Sequence, residues 1–343
     1  MPTRSDRRPR AALAMSREAA AALFGTAGPG GSAALAAVCD PVPLPLLDDL
    51  TTARARAVLA GTEVLVTGWG CPPVDGAVLA AAPRLRAIAH TAGSVRGHVT
   101  EACWERGVEV SSAAAANALP VAEYTVAMIL LAGKRVPERA RAYRVARERH
   151  DPLGVDRSLG NYGRTVGICS ASLIGRRVID LLRPYDLRVL LYDPYVGDEE
   201  AAALGVRATG IRELFAASDV VSVHTPLLPA TRGLVSRELL AALRPGATLI
   251  NTARGGVVDQ EALTEAAVAG RLHAVLDVTE PEVLPPGHPL WECDNVLLTP
   301  HLAGSQGNEL RRLVELAAGE VARWAAGAGF AHPVRRERLA FLA

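Results

Sequence analysis

Lysine is nearly missing from this chain: Lys134 is the only one, while lysine and arginine together number 37 against 36 acids. Alanine is very abundant, so we read the missing lysines as the coding bias of a GC-rich genome and see no stabilising design in the arginines. The formal charge is +1 and no long basic run occurs. That removes the electrostatic case for nucleic acid or an anionic membrane as partner and favours small-molecule chemistry. The five cysteines, Cys39, Cys71, Cys103, Cys169 and Cys293, are odd in number and lack C-x-x-C spacing. Neither a disulfide framework nor a metal site is expected, and reduced thiols fit a cytoplasmic protein. The basic N-terminus is followed by an apolar run at 11–15 that is too short for a signal peptide and is broken by Arg17 and Glu18, so it reads as a frayed tail. No apolar run is expected to reach a membrane span.

What is present is apolar: half of the 343 residues are hydrophobic, enough for two cores and too many for disorder. Short β-like runs at 11–15, 64–67, 87–90 and 108–111 alternate with Ala-rich helical stretches such as 75–82, the signature of a doubly wound α/β layer. A long apolar helix is predicted over Val121–Arg135, with Pro120 at its start and its whole circumference buried between domains or subunits. A second set of six strands follows, at 164–169, 188–192, 220–224, 248–252, 274–278 and 296–299, the size of a dinucleotide-binding sheet. The last helix, 309–326, returns to the first layer if the first domain is discontinuous, giving 1–115 with 306–343 and 116–305.

The turn after the first strand of that second set reads C-S-A-S-L-I-G-R. Where G-x-G-x-x-G is expected it has Ser170, Ser172 and then Gly175, so only the glycine for close helix–strand packing is kept. A serine held at positive φ costs about 1–2 kcal/mol, and hydroxyls that bind phosphate offset part of that. Leu173 and Ile174 complete the turn, and the helix start attracts an anion. Asp193 stands 18 positions beyond Gly175, near the distance of a ribose-binding acid. Its carboxylate argues for NAD over NADP; the competing reading is a turn-forming Asp-Pro.

Three further strands end in A-T-L-I-N-T-A-R-G-G, A-V-L-D-V-T-E-P-E and N-V-L-L-T-P-H-L-A-G. Ligands of open α/β sheets lie beyond the carboxyl ends of strands, so Arg254, an acid of T-E-P-E and His301 form a set suited to a carbonyl or alcohol beside a carboxylate.

These endings, with V-A-E-Y-T-V-A-M-I-L-L, S-D-V-V-S-V-H-T-P-L-L-P-A-T-R-G-L and R-P-G-A-T-L-I-N-T-A-R-G-G-V-V-D-Q-E-A-L, resemble the D-isomer-specific 2-hydroxyacid dehydrogenases over nearly the whole chain, least before about residue 60. The resemblance implies a Rossmann-type NAD-binding domain, a flavodoxin-like substrate domain, a homodimer, and interconversion of a small 2-keto acid with its D-2-hydroxy acid. It implies that Arg254 holds the substrate carboxylate and carbonyl, that Glu282 rather than Glu280 pairs with His301, and that His301 is the acid/base. It further puts Asp277 at the nicotinamide carboxamide, Thr225 and Pro226 along the cofactor cleft with Thr252, and the amides of Ala92 and Gly93 on the substrate carboxylate. Arg96 is either a contact for a second substrate anion or surface charge, and Trp69 is either a pocket wall or core. The two loop serines keep a second class in view, an NAD(H)-sensing binding protein with little turnover.

Overall fold

The computed structural model describes residues 7–25, 32–149, 151, 153–156 and 158–341. The part of the expected N-terminal tail up to residue 6 lies outside them. The chain divides into two compact units, Met1–Asn117 with Ser305–Ala343, and Ala118–Gly304.

The first unit is built on strands β1 (Ala11–Ala14), β2 (Leu46–Leu47), β3 (Val64–Thr67), β4 (Ala87–His90) and β5 (Glu109–Ser112). They pair in parallel in the order β2-β1-β3-β4-β5. This is the flavodoxin-like order, with its switch point between β1 and β3. β1, β3 and β4 are buried along their whole length, as strands covered by helices on both faces must be. One face packs on Leu13, Leu35, Val66, Leu313 and Val321, the last two from the helix Leu310–Ala325. The other packs on Leu59, Leu65, Leu85 and Ile88. Each such buried aliphatic side chain contributes roughly 1.5–3 kcal/mol. The C-terminal segment joins the same unit: the Val334 amide donates to the Val110 carbonyl, and buried Glu320 accepts from the amides of Ala331 and His332.

The second unit carries β6 (Thr165–Cys169), β7 (Arg188–Tyr192), β8 (Arg207–Ala208), β9 (Val220–Val223), β10 (Thr248–Asn251), β11 (His273–Leu276) and β12 (Val296–Leu298). They form one parallel sheet, β12-β11-β10-β9-β6-β7-β8. Renumbered within the unit this is 3-2-1-4-5-6 with one strand added, a Rossmann sheet whose switch point falls between β6 and β9. Seven strands replace the six expected. The additional β8, like β2, has only two residues at a sheet edge, too short to leave a hydrophobic period.

The apolar helix departs from expectation in two ways. It runs Ala114–Gly133, so Pro120 lies inside it. Proline there removes the hydrogen bond to the Ala116 carbonyl, yet the preceding Ala-rich run favours helix enough to carry it through. Within the single chain Ala122, Val126 and Ile129 enter the core of the second unit. With 20 residues and a mean hydropathy of 1.5 it is long and apolar enough to cross a membrane, contrary to the reading that began it at Val121. The core helix of a globular protein meets the same criterion.

Candidate active site

The cofactor turn follows β6 at the switch point. Ser170 has φ +80, a left-handed conformation that favours glycine. Its hydroxyl donates to Asp193 Oδ2 at 3.2 Å, and the same oxygen accepts from the Ala171 amide at 2.8 Å. The strained serine is thus held by the acid at the end of β7. Ser172 caps the helix Leu173–Leu182, its hydroxyl accepting from the Gly175 amide at 3.3 Å. These local bonds are what the loop serines do in the structure. Leu173 is exposed and Ile174 half-buried in the first turn. At Gly175 an added Cβ would lie 2.0 Å from the Ser170 carbonyl oxygen, so this position admits no side chain. The other Asp193 oxygen accepts from the Tyr195 amide at 2.8 Å. Both readings of this acid, turn former and ribose ligand, therefore remain compatible with its place.

Beyond β9, His224 and Thr225 are buried and Pro226 half-buried. Burial lowers the pKa of His224 to about 3, and its Nε2 lies 3.0 Å from the Ser222 hydroxyl. It is a neutral support beneath the turn. The Thr225 hydroxyl bonds to the Cys169 carbonyl at 3.4 Å.

Arg254, Glu282 and His301 come from segments that follow the adjacent strands β10, β11 and β12, at the carboxyl edge of one sheet. Buried Asn251 orients the first: its Oδ1 accepts from the Ala253 amide and its Nδ2 donates to the Arg254 carbonyl at 2.9 Å. The Arg254 guanidinium donates to the Ala253 carbonyl at 2.6 Å. Gly255 lets the turn lie against the neighbouring segment, since a Cβ there would stand 2.2 Å from the Thr279 carbonyl carbon. Thr252 is buried with its hydroxyl 3.1 Å from that of Thr125.

His301 Nδ1 lies 2.5 Å from Glu282 Oε1. Glu280 faces elsewhere, its two oxygens accepting from Arg232 Nη1 at 2.9 and 2.7 Å. His301 has φ +52, a conformation that costs a non-glycine residue energy and needs support. Asp277 supplies it. Its Oδ1 accepts from the Thr299 hydroxyl at 2.6 Å and the Leu302 amide at 2.9 Å, and Oδ2 accepts from the Ala303 amide at 2.9 Å. Its carbonyl accepts from the His301 amide. Because the Thr299 proton goes to Asp277, the Tyr124 hydroxyl 2.9 Å away donates to Thr299. Asp277, expected at the nicotinamide carboxamide, is 2% exposed and gives three acceptor bonds to this turn. Asn251, Thr299 and Tyr124 are functional residues that the sequence reading missed; for Asn251 and Thr299 the signal was a polar residue ending or following an otherwise apolar strand, whereas Tyr124, inside the helix Ala114–Gly133, left none.

In the first unit, Ala92 and Gly93 follow β4, and Ala92 is buried. Among the described residues neither backbone amide has a protein acceptor. Arg96 is exposed and donates to the Leu339 carbonyl of the C-terminal segment, so its guanidinium is held there. Trp69 is 44% exposed in the turn after β3 and is not core. All five cysteines are free, and no metal-binding group of His, Cys, Asp and Glu occurs among the described residues.

A profile of the D-isomer specific 2-hydroxyacid dehydrogenase NAD binding domain matches residues 126–303. The chain belongs to the D-isomer specific 2-hydroxyacid dehydrogenase family. A D-3-phosphoglycerate dehydrogenase of Archaeoglobus fulgidus is 35% identical over 234 residues, 68% of this chain but 44% of that protein. The chain thus spans less than half the length of that relative. A glyoxylate reductase of Thermofilum pendens is 35% identical over 256 residues, 71% of this chain and 73% of the relative. Among solved structures, a D-lactate dehydrogenase of Aquifex aeolicus complexed with NAD and lactic acid is 27% identical with a TM-score of 0.63, covering 80% of this chain and 86% of that one.

NAD is the cofactor of this dehydrogenase family's binding domain, and the second unit fits it on its own geometry. The left-handed turn, the close approach at Gly175 and the helix start give a cradle for an anion, and Asp193 stands at the end of the adjacent strand.

Proposed function

We propose that the chain is an NAD-dependent oxidoreductase that interconverts a small 2-keto acid and its D-2-hydroxy acid. The observation that carries this is the 2.5 Å contact between Glu282 and His301, on a turn whose strained histidine is held by Asp277. With Nδ1 directed at a carboxylate, Nε2 is the atom left to deliver or take the substrate proton. Arg254 binds the planar carboxylate and carbonyl through its guanidinium fork, which also stabilises charge developing on the carbonyl oxygen. In the first unit we assign a carboxylate-binding role to the amides of Ala92 and Gly93. Bound NADH supplies the hydride. When NAD is bound, the Ser170–Gly175 turn would hold its pyrophosphate through the amides of Ser172, Leu173 and Ile174, Asp193 would hold the adenine-side ribose, and Thr225, Pro226 and Thr252 would line the cofactor's path.

The names of the relatives, glyoxylate reductase and D-lactate dehydrogenase among them, support the substrate class. We further propose a homodimer, on the half-exposed apolar helix Ala114–Gly133, and a reducing, cytoplasmic setting, on the five free thiols. A panel of 2-keto acids with NADH and with NADPH, followed by absorbance, tests the activity. Turnover with NADH supports it; tight NADH binding with no turnover of any member supports a sensing role instead.

A further inference from the structure

Two buried histidines in the first unit have no part in the chemistry above. His90 ends β4 and His98 lies eight positions on, so they bracket the segment 91–97 that carries the Ala92 and Gly93 amides. Both rings converge on one hydroxyl. Thr67 Oγ1, at the end of the neighbouring β3, lies 2.9 Å from His90 Nδ1 and 3.1 Å from His98 Nε2, and the ring centroids are 4.5 Å apart. All three residues are buried, with exposures of 3% for His90, 4% for His98 and 0% for Thr67.

We propose that Thr67, His90 and His98 form a clasp that fixes the conformation of the substrate-carboxylate loop 91–97 and so act as positioning residues for substrate binding. Thr67 is well placed for this because its backbone holds the loop too: its carbonyl accepts from both the amide and the hydroxyl of Thr91, at 2.8 Å each. The far end is tied to the turn after β3, where the Val74 amide donates to the His98 carbonyl at 2.8 Å. A hydroxyl has a single proton, so with both rings neutral at least one imidazole must donate to Thr67. The clasp therefore works with neutral rings of fixed tautomer. Burial supplies that condition, lowering His98 to about 4 and His90, which also feels His98, to about 3. A loop closed at both ends on one buried atom holds its amides in place without the substrate. Such preorganisation strengthens binding by removing the ordering cost.

The substrate-binding consequence rests on the 2-keto acid reading, whereas the clasp itself does not. Thr67→Val removes the hydroxyl at constant shape and Thr67→Ser restores it. In the whole chain without ligands, hydrogen exchange of a peptide covering 91–99, whose Thr91, His98 and Val99 amides are hydrogen-bonded, is expected to quicken about tenfold in the valine variant, the effect of losing roughly 1.4 kcal/mol of local hydrogen bonding. In the serine variant it should stay within about twofold. With glyoxylate and NADH, Thr67→Val should raise KM about tenfold while kcat and NADH affinity change less than about threefold. If Thr67→Val does not fold, His98→Leu against His98→Gln, which keeps a donor at the Nε2 position, makes the same comparison. Unchanged exchange in 91–99, or quickening spread evenly over the first unit, overturns the clasp. Local quickening with an unchanged KM in an active enzyme overturns its role in substrate binding. Local quickening in a protein that turns over no 2-keto acid overturns the proposed activity and leaves the clasp standing.

Discussion

Mild acid should destabilise this protein before most of its carboxylates protonate, because burial holds three imidazoles neutral. His90 and His224 are lowered from 6.5 to about 3, and His98 to about 4. Between those values and 6.5 the unfolded chain binds protons that the native state refuses. Stability contributed by these rings is therefore whole above pH 6.5 and is lost progressively as the pH falls towards 4. One proton of difference is worth about 1.4 kcal/mol per pH unit, and an unfolded histidine is roughly nine-tenths protonated between pH 5 and 6. Each ring then costs about 1.2 kcal/mol over that interval, and the pair in the first unit about 2.5 kcal/mol, a large share of a stability of about 5–15 kcal/mol. Urea unfolding of the full chain at pH 6 and pH 5, followed by tryptophan fluorescence, reads this; Trp69, Trp104 and Trp324 all report on the first unit. His98→Gln cannot take up the proton, so it should lose about 1.2 kcal/mol less than the native chain, and the two stability curves should converge as the pH falls. Parallel curves would refute the neutral buried ring.

The other expectations concern the second unit. His301→Ala should lower kcat on a 2-keto acid by a factor of about 100 to 10,000, the scale of a positioned acid/base; near-native turnover removes that role. Asp193→Asn keeps an acceptor for the Ser170–Ala171 turn but loses the charge that repels a 2′-phosphate. The preference for NADH over NADPH in binding titrations should therefore fall about tenfold, and an unchanged ratio would leave Asp193 as a turn former only. Gly175→Ala forces a methyl against the Ser170 carbonyl, so thermal unfolding should show a loss of about 1–3 kcal/mol together with weaker NADH binding; a stable variant with intact affinity contradicts the packing argument.

Both sheets were legible because their strands are short and mostly buried, which leaves continuous apolar runs ending in polar residues; β3, β4 and β7 start and end where the runs do. What stayed hidden has physical causes. β2 and β8 are held by one sheet neighbour each and are too short to show a pattern. Pro120 was misleading because a proline inside a helix costs energy locally, while the alanines before it and the core contacts of Ala122 and Val126 decide the outcome. Composition gave no hint that Arg96 would be held by a carbonyl more than 200 residues away. The polar supports are the deeper case. Asn251, Asp277 and Thr67 each follow or end a buried strand, and a sequence shows such residues as potential ligands of something outside the protein. In the structure their bonds go mostly to the protein's own turns, because a strand end that must present a left-handed His301 or an ordered Ala92–Gly93 segment has backbone donors to satisfy first. The reacting groups are thus readable from residue type, whereas the groups that aim them become visible only when their hydrogen bonds are counted.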